Sequence, residues 1–188
     1  MAGVSARVVY ARAPMRRRLL ACTLLLGLGA AAGDPGLVLT IDRGTFELSA
    51  RDARDGRLGP RLPVALGSPA HPTPTGRFSA HAVILNPAWH PSLRARGYGA
   101  QERAASAEGP MGVAKIPFAQ GGEIALHGGG RPILLGKPIS NGCVRASDRD
   151  LLALLDWLDE RGALGPRHPQ ADGEIERALR RPLRVIVR

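Results

Sequence analysis

The sequence predicts a mainly β domain with one or two helices, and three observations lead there. Gly (24) and Pro (16) together exceed a fifth of the 188 residues, which favours many turns and short strands over a helical bundle. Short apolar runs bounded by turn residues recur along the chain. One segment alone, 147–160, has a strong helical period. A hydrophobic fraction of 44% with 22% charged residues is ordinary for a globular protein, and the 4% aromatic content leaves the core to Leu, Val, Ile and Ala.

Residues 1–33 do not read as part of that core. From Met15, the basic cluster Arg16, Arg17 and Arg18 precedes an apolar run over 19–32 that ends in Ala30, Ala31, Ala32 and Gly33. This is the order of a secretory signal segment, and Met15 reads as its true start because 1–14 carries no periodic pattern. The run is shorter than the roughly 20 residues of a comfortable membrane span, so cleavage after about Ala32 is expected in preference to an uncleaved anchor. A lipoprotein reading at Cys22 is weak, since almost no apolar stretch precedes it. The expected organisation is a signal segment over 1–33 and one domain over 34–188, placed in the periplasm or at the cell wall.

Within 34–188, residues 37–41 and 45–48 read as two strands joined by the turn Asp42-Arg43-Gly44. Residues 51–60 are polar and turn-rich, 62–66 resumes a strand, and 67–76 is a loop crowded with Pro69, Pro72 and Pro74. A strand over 78–85 follows. The irregular stretch 86–112, with Trp89 and Tyr98, is long enough to suggest a lid or cleft wall. Residues 123–127 form a strand ending in three glycines, and 131–139 is a connector. The helix over 147–160 opens on a capping-box-like pair, Ser147 and Asp150, gathers Leu151, Leu154, Leu155 and Leu158 on one face, and stops at Gly162. A short helix over 174–181 and a closing strand over 183–187 complete the reading.

The formal charge of +10 includes five arginines, and no acids, from residues 1–33, which leaves about +5 on 34–188. That surplus is diffuse and nearly all Arg, with Lys only at Lys115 and Lys137. No basic stretch interleaved with aromatics supports a nucleic-acid partner, while a polymer bearing carboxylates fits. Of two cysteines, Cys22 falls in the signal segment, so Cys143 stands alone. An unpaired thiol in an oxidising compartment is a liability unless its reactivity is used.

Two segments carry that reactivity: Ile124-Ala-Leu-His-Gly-Gly-Gly130 and Ile139-Ser-Asn-Gly-Cys-Val-Arg145. Each places a reactive side chain where a strand meets a glycine-bearing turn. An imidazole at His127, held by its strand, would draw the thiol proton of Cys143. The amides of Gly142 and Cys143 could together meet a developing oxyanion. The His-Gly-Gly-Gly run also occurs in esterases, but no Gly-x-Ser-x-Gly follows. His71, His81, His90, His127 and His168 lack metal-ligand spacing, so neither a metal nor another cofactor is expected.

Gly67, then Thr73-Pro74-Thr75-Gly76-Arg77-Phe78, then Leu126-His127-Gly128, then Ser140-Asn141-Gly142-Cys143-Val144-Arg145 resemble the motifs of the L,D-transpeptidase catalytic domain family, of the YkuD type, over about 37–188. The resemblance implies a β-sandwich or barrel-like fold with a helix. It makes Cys143 the nucleophile that attacks an L,D peptide bond of a peptidoglycan stem, and His127 the general base and later acid. Gly128 would orient the imidazole through its carbonyl, Gly142 and Cys143 would form the oxyanion hole, and Ser140 would lie within the site. Arg145 would shape the site or meet a substrate carboxylate. The implied partners are tetrapeptide stems as donors and an amine acceptor. One position departs from the family pattern: Asn141 stands where a His is usual, and Asn cannot titrate. The competing classes are a hydrolase, either an L,D-carboxypeptidase or a peptidoglycan amidase, and a catalytically silent peptidoglycan-binding module. A binding module would need neither His127 nor Cys143.

Overall fold

The computed structural model describes residues 34–91 and 96–188; the expected signal segment lies outside them. The strands are β1 (Leu37–Asp42), β2 (Glu47–Asp52), β3 (Leu58–Pro63), β4 (Leu66–Gly67), β5 (Gly76–Leu85), β6 (Ala114–Ala119), β7 (Ile124–His127), β8 (Pro138–Ser140), β9 (Val144–Arg145), β10 (His168–Pro169) and β11 (Ile175–Val187). One curled, mixed sheet runs β3-β2-β1-β11-β5-β6-β7-β9 with β10 on β11, and β4 pairs with β8 separately. The β1–β11, β7–β9 and β4–β8 pairings are parallel, and the rest are antiparallel. The expected mainly β class is what the chain adopts.

Alternation builds the core. In β1 every second residue, Leu37, Leu39 and Ile41, faces inward and is buried. Helix α1 (Asp148–Glu160) covers the sheet with Leu151, Leu154, Leu155, Trp157 and Leu158. The Trp157 indole lies over Gly59 of β3, where a Cβ would sit 2.7 Å from the ring. The Ser147 hydroxyl accepts the Asp150 amide at 3.0 Å, with Asp148 and Asp150 in the positive first turn. The helix ends in a Schellman motif at Gly162 (φ +64°), with Gly162 N–H on Asp159 O (2.8 Å) and Ala163 N–H on Leu158 O (3.0 Å).

The structure corrects three expected elements. The first turn is wider, because the Asp42 carboxylate accepts the amides of Gly44 and Thr45, so β2 begins at Glu47. The strand expected over 62–66 divides into β3, which already starts at Leu58, and β4. The helix expected over 174–181 is the first half of β11, whose pairing with β5 overrides the helix-forming residues there. The β5–β11 register shifts between Ala178 and Leu183, around Pro182, which has no N–H for a ladder.

At that irregularity Arg181 turns inward, 7% exposed, and grips Asp52 with two hydrogen bonds of 2.8 Å and Asp34 with two of 2.6 and 3.1 Å. Arg181 holds the Asp34 carboxyl down at about 2 and that of Asp52 well below the usual carboxylate range.

Candidate active site

Strand β7 is buried at all four positions and ends on His127, which is 2% exposed. It lies antiparallel to β6 and parallel to β9, with Leu126 opposite Val144 and His127 opposite Arg145. Sixteen positions separate His127 from Cys143 in sequence, yet this register pairs the strand that ends on His127 with the strand that starts directly after Cys143.

The His127 Nδ1 is 2.7 Å from the Gly128 carbonyl oxygen. A carbonyl can only accept, so Nδ1 carries the proton and Nε2 keeps its lone pair. Burial, and then the Arg145 cation, push the imidazole down to about 4, against the opposing pull of the Gly128 and Met111 carbonyls. His127 is therefore a neutral base at pH 7. The turn after it admits no side chain: a Cβ on Gly128 would lie 2.0 Å from Asp148 Oδ1. That oxygen accepts the amides of Val113 (2.9 Å) and Gly129 (3.0 Å), tying the segment that leads into β6 and the turn after His127 to the start of α1.

The Cys143 turn is held by two buried hydroxyls. Ser140 donates to the Cys143 carbonyl at 2.6 Å and accepts the Gly142 amide at 3.1 Å. Thr73 donates to the Gly142 carbonyl and accepts the Gly67 amide, both at 2.9 Å. Gly142 has φ +116°, and a Cβ there would meet Ile124 Cδ1 at 2.7 Å, so this position takes glycine on both counts. Ala65 and Arg145 exchange backbone hydrogen bonds of 2.8 Å, and Ser68 N–H bonds Ser140 O at 2.9 Å, so the β4 segment straps the turn from outside. The half-buried thiol of Cys143 lies 3.5 Å from the Glu123 carbonyl. Burial pushes the thiol up, offset in part by the Ala125 amide and the Arg145 cation.

One sequence expectation changes here. The Gly142 amide is directed into the turn, onto Ser140, and is not a free oxyanion donor. Gly142 shapes the turn through its backbone conformation, and the Cys143 amide has no protein acceptor among the described residues. Asn141 is exposed at the tip of the turn. Arg145 is half-buried, and its Nε is buried without a partner. Sequence reasoning missed Thr73 and Asp148. Thr73 sits in the Thr-Pro-Thr-Gly segment but reads as a loop residue, and Asp148 reads as one of several acids at a helix start. The long stretch expected as a cleft wall borders the His127 turn, since Pro110 O lies 2.8 Å from where a Gly129 Cβ would be. Arg103, Ala104, Ser106, Glu108, Gly109 and Pro110 line a cavity of about 490 Å³ there.

The family model of the YkuD L,D-transpeptidase catalytic domain matches residues 38–174. The chain belongs to this family. Solved L,D-transpeptidases share the fold at low identity. L,D-transpeptidase 3 from Mycobacterium tuberculosis is 17% identical with a TM-score of 0.51, covering 81% of this chain and 61% of that one. A second L,D-transpeptidase from M. tuberculosis H37Rv is 16% identical with a TM-score of 0.51, covering 81% and 57%. A cysteine-to-serine mutant of the Enterococcus faecium enzyme is 13% identical with a TM-score of 0.54, covering 81% and 50%. The family fold thus fills most of this chain, while the chain spans only about half to three fifths of those structures. No curated protein matches the sequence. Among the described residues no helix is long and apolar enough to cross a membrane.

Proposed function

We propose that the chain is an exported L,D-transpeptidase that acts on peptidoglycan stem peptides through a thioester on Cys143. The observation that supports this reading is the pairing of β7 with β9, which brings the segment of the buried imidazole, its Nδ1 committed to a carbonyl, alongside the segment of the half-buried thiol. Family membership supports peptidoglycan peptides as the substrate class, and the L,D peptide bond of a tetrapeptide stem is the donor in this reading.

In the first half-reaction, His127 Nε2 takes the Sγ proton as sulfur attacks the stem carbonyl. The oxyanion forms against the Cys143 amide. Collapse breaks the C–N bond, and the departing D-alanine amine takes the proton from His127, leaving the thioester. In the second, an acceptor amine attacks the thioester, His127 receives that amine's proton, and it returns a proton to the sulfur as the C–S bond breaks. A diaminopimelate side chain of a second stem and a lipoprotein lysine are both amines of the required kind.

The Asn141 position supports a second reading. It puts an exposed, non-titrating side chain where the family pattern has His, so water in place of an amine would make the protein an L,D-carboxypeptidase. Incubating the 34–188 protein with tetrapeptide muropeptides and an amine acceptor, followed by mass spectrometry, separates the two. Cross-linked dimers or amine adducts support transfer, whereas D-alanine release alone identifies hydrolysis. If neither product formed, the peptidoglycan reading would fall. A carbapenem should add covalently to the wild type and not to Cys143→Ala; an adduct on the alanine variant would remove Cys143 as nucleophile. Detection of a mature N-terminus near residue 33 in the periplasmic fraction would support export.

A further inference from the structure

We propose that Thr73 is a positioning residue of the oxyanion site, holding the Gly142–Cys143 peptide so that the Cys143 amide faces the reacting carbonyl. The proposal rests on the acyl-transfer reading above and adds a residue from a different strand connection, 69 positions away in sequence.

The geometry of a peptide plane makes the connection. In a trans peptide the carbonyl and the following N–H point in opposite directions, and no cis peptide occurs among the described residues. Fixing the Gly142 carbonyl on one side therefore fixes the Cys143 N–H on the other. Thr73 does the fixing: its Oγ1 lies 2.9 Å from the Gly142 oxygen, and Thr73 is 1% exposed. The direction of its single proton is not free. Oγ1 already accepts the Gly67 amide at 2.9 Å, which leaves the hydroxyl hydrogen for the Gly142 carbonyl. The Gly67 amide is itself held close, since a Cβ on Gly67 would lie 2.2 Å from the His71 carbonyl oxygen.

The Gly142 amide and the Cys143 carbonyl are already taken. Ser140 accepts the Gly142 amide and donates to the Cys143 carbonyl. Among the described residues the Cys143 N–H donates to no protein acceptor. It is available to an anion, and the Thr73 bond determines where it points. Without that bond, Gly142, whose φ of +116° is open to a residue with no side chain, can rotate the plane and carry the N–H away. A donor aimed before the reaction begins is what oxyanion stabilisation requires.

Thr73→Val removes the hydroxyl at nearly constant volume, and Thr73→Ser keeps it. Each variant would be assayed in two reactions of the same sulfur. Carbapenem acylation passes through an oxyanion: sulfur adds to the lactam carbonyl, the C–N bond opens, and the ring nitrogen takes the proton. Iodoacetamide alkylation displaces iodide directly and forms none. Thr73→Val should acylate roughly 10- to 100-fold more slowly, at or just below the effect of deleting one oxyanion donor. Its alkylation should stay within about twofold of wild type, and Thr73→Ser should recover most of the acylation rate. Equal acylation by Thr73→Val and wild type would overturn the proposal. So would a parallel loss of both reactions, which would mean that Thr73 only places the sulfur. A wild-type protein that alkylates but never acylates would instead bring down the acyl-transfer reading and this role with it.

Discussion

The pH dependence of acylation follows from the two pKa shifts in the site. Burial and the Arg145 cation push His127 from 6.5 down to about 4, and burial pushes Cys143 above 9.0. At pH 7 the imidazolium fraction is then about 0.1%, and burial keeps the sulfur protonated. Moving the proton from sulfur to imidazole before attack is uphill, because burial disfavours both charged forms. The resting pair is therefore thiol and neutral imidazole, and proton transfer accompanies attack. Perturbing pH should leave the acylation rate level down to about pH 5, with an acid limb near 4 where His127 gains its proton. Arg145→Met removes a cation that disfavours the imidazolium, so its acid limb should move up. Stopped-flow acylation between about pH 3 and 9, with thiolate absorbance read in parallel, measures both quantities. An acid limb between 6 and 7, or a thiolate signal at pH 7 that disappears in His127→Ala, would refute the neutral-pair argument.

The same histidine affects stability. Its folded pKa lies below its unfolded one, so the unfolded chain binds the extra proton; stability is full above about 6.5 and falls toward 4, by roughly 3 kcal/mol in all. Urea midpoints across that window should drop more steeply for wild type than for His127→Gln. Asp148→Ala strips the acceptor from the Val113 and Gly129 amides and should cost about 2–4 kcal/mol. Asp148→Asn keeps an oxygen there and should cost under about 1.5 kcal/mol, so equal midpoints for the two variants would contradict the tie. Arg181→Met leaves Asp52 charged and 2% exposed and should destabilise by about 3–5 kcal/mol, against near-wild-type denaturant midpoints if the cluster is inert.

What the sequence revealed, and what it hid, divides along physical lines. β1 and α1 were legible because both carry their burial pattern locally, as Leu37, Leu39 and Ile41 and as the leucine face capped by Ser147. The turns at His127 and Cys143 were legible because each carries the glycines that its backbone requires. The first half of β11 was not, since Glu176, Arg177, Ala178 and Leu179 favour a helix until β5 supplies a pairing edge. Asp148 and Thr73 were hidden for the same reason. Their partners, Val113 with Gly129 and Gly67 with Gly142, come from distant segments, and no local period marks a side chain that serves another segment's amide or carbonyl. The Gly142 amide was misjudged because only the folded turn brings the Ser140 hydroxyl onto it.

The place of β11 governs when the molecule can fold. It lies between β1 and β5, pairing with the first strand in parallel and closing on it through bonds between Arg188 and the Ile41 and Arg43 backbone. Until β11 is available to pair, β1 to β3 and β5 to β9 are two fragments with unpaired inner edges. Contacts so remote in sequence are slow to close. Under the proposed export, a chain still lacking β11 has no partner for the inner edges of β1 and β5, so closure of the sheet waits for that strand.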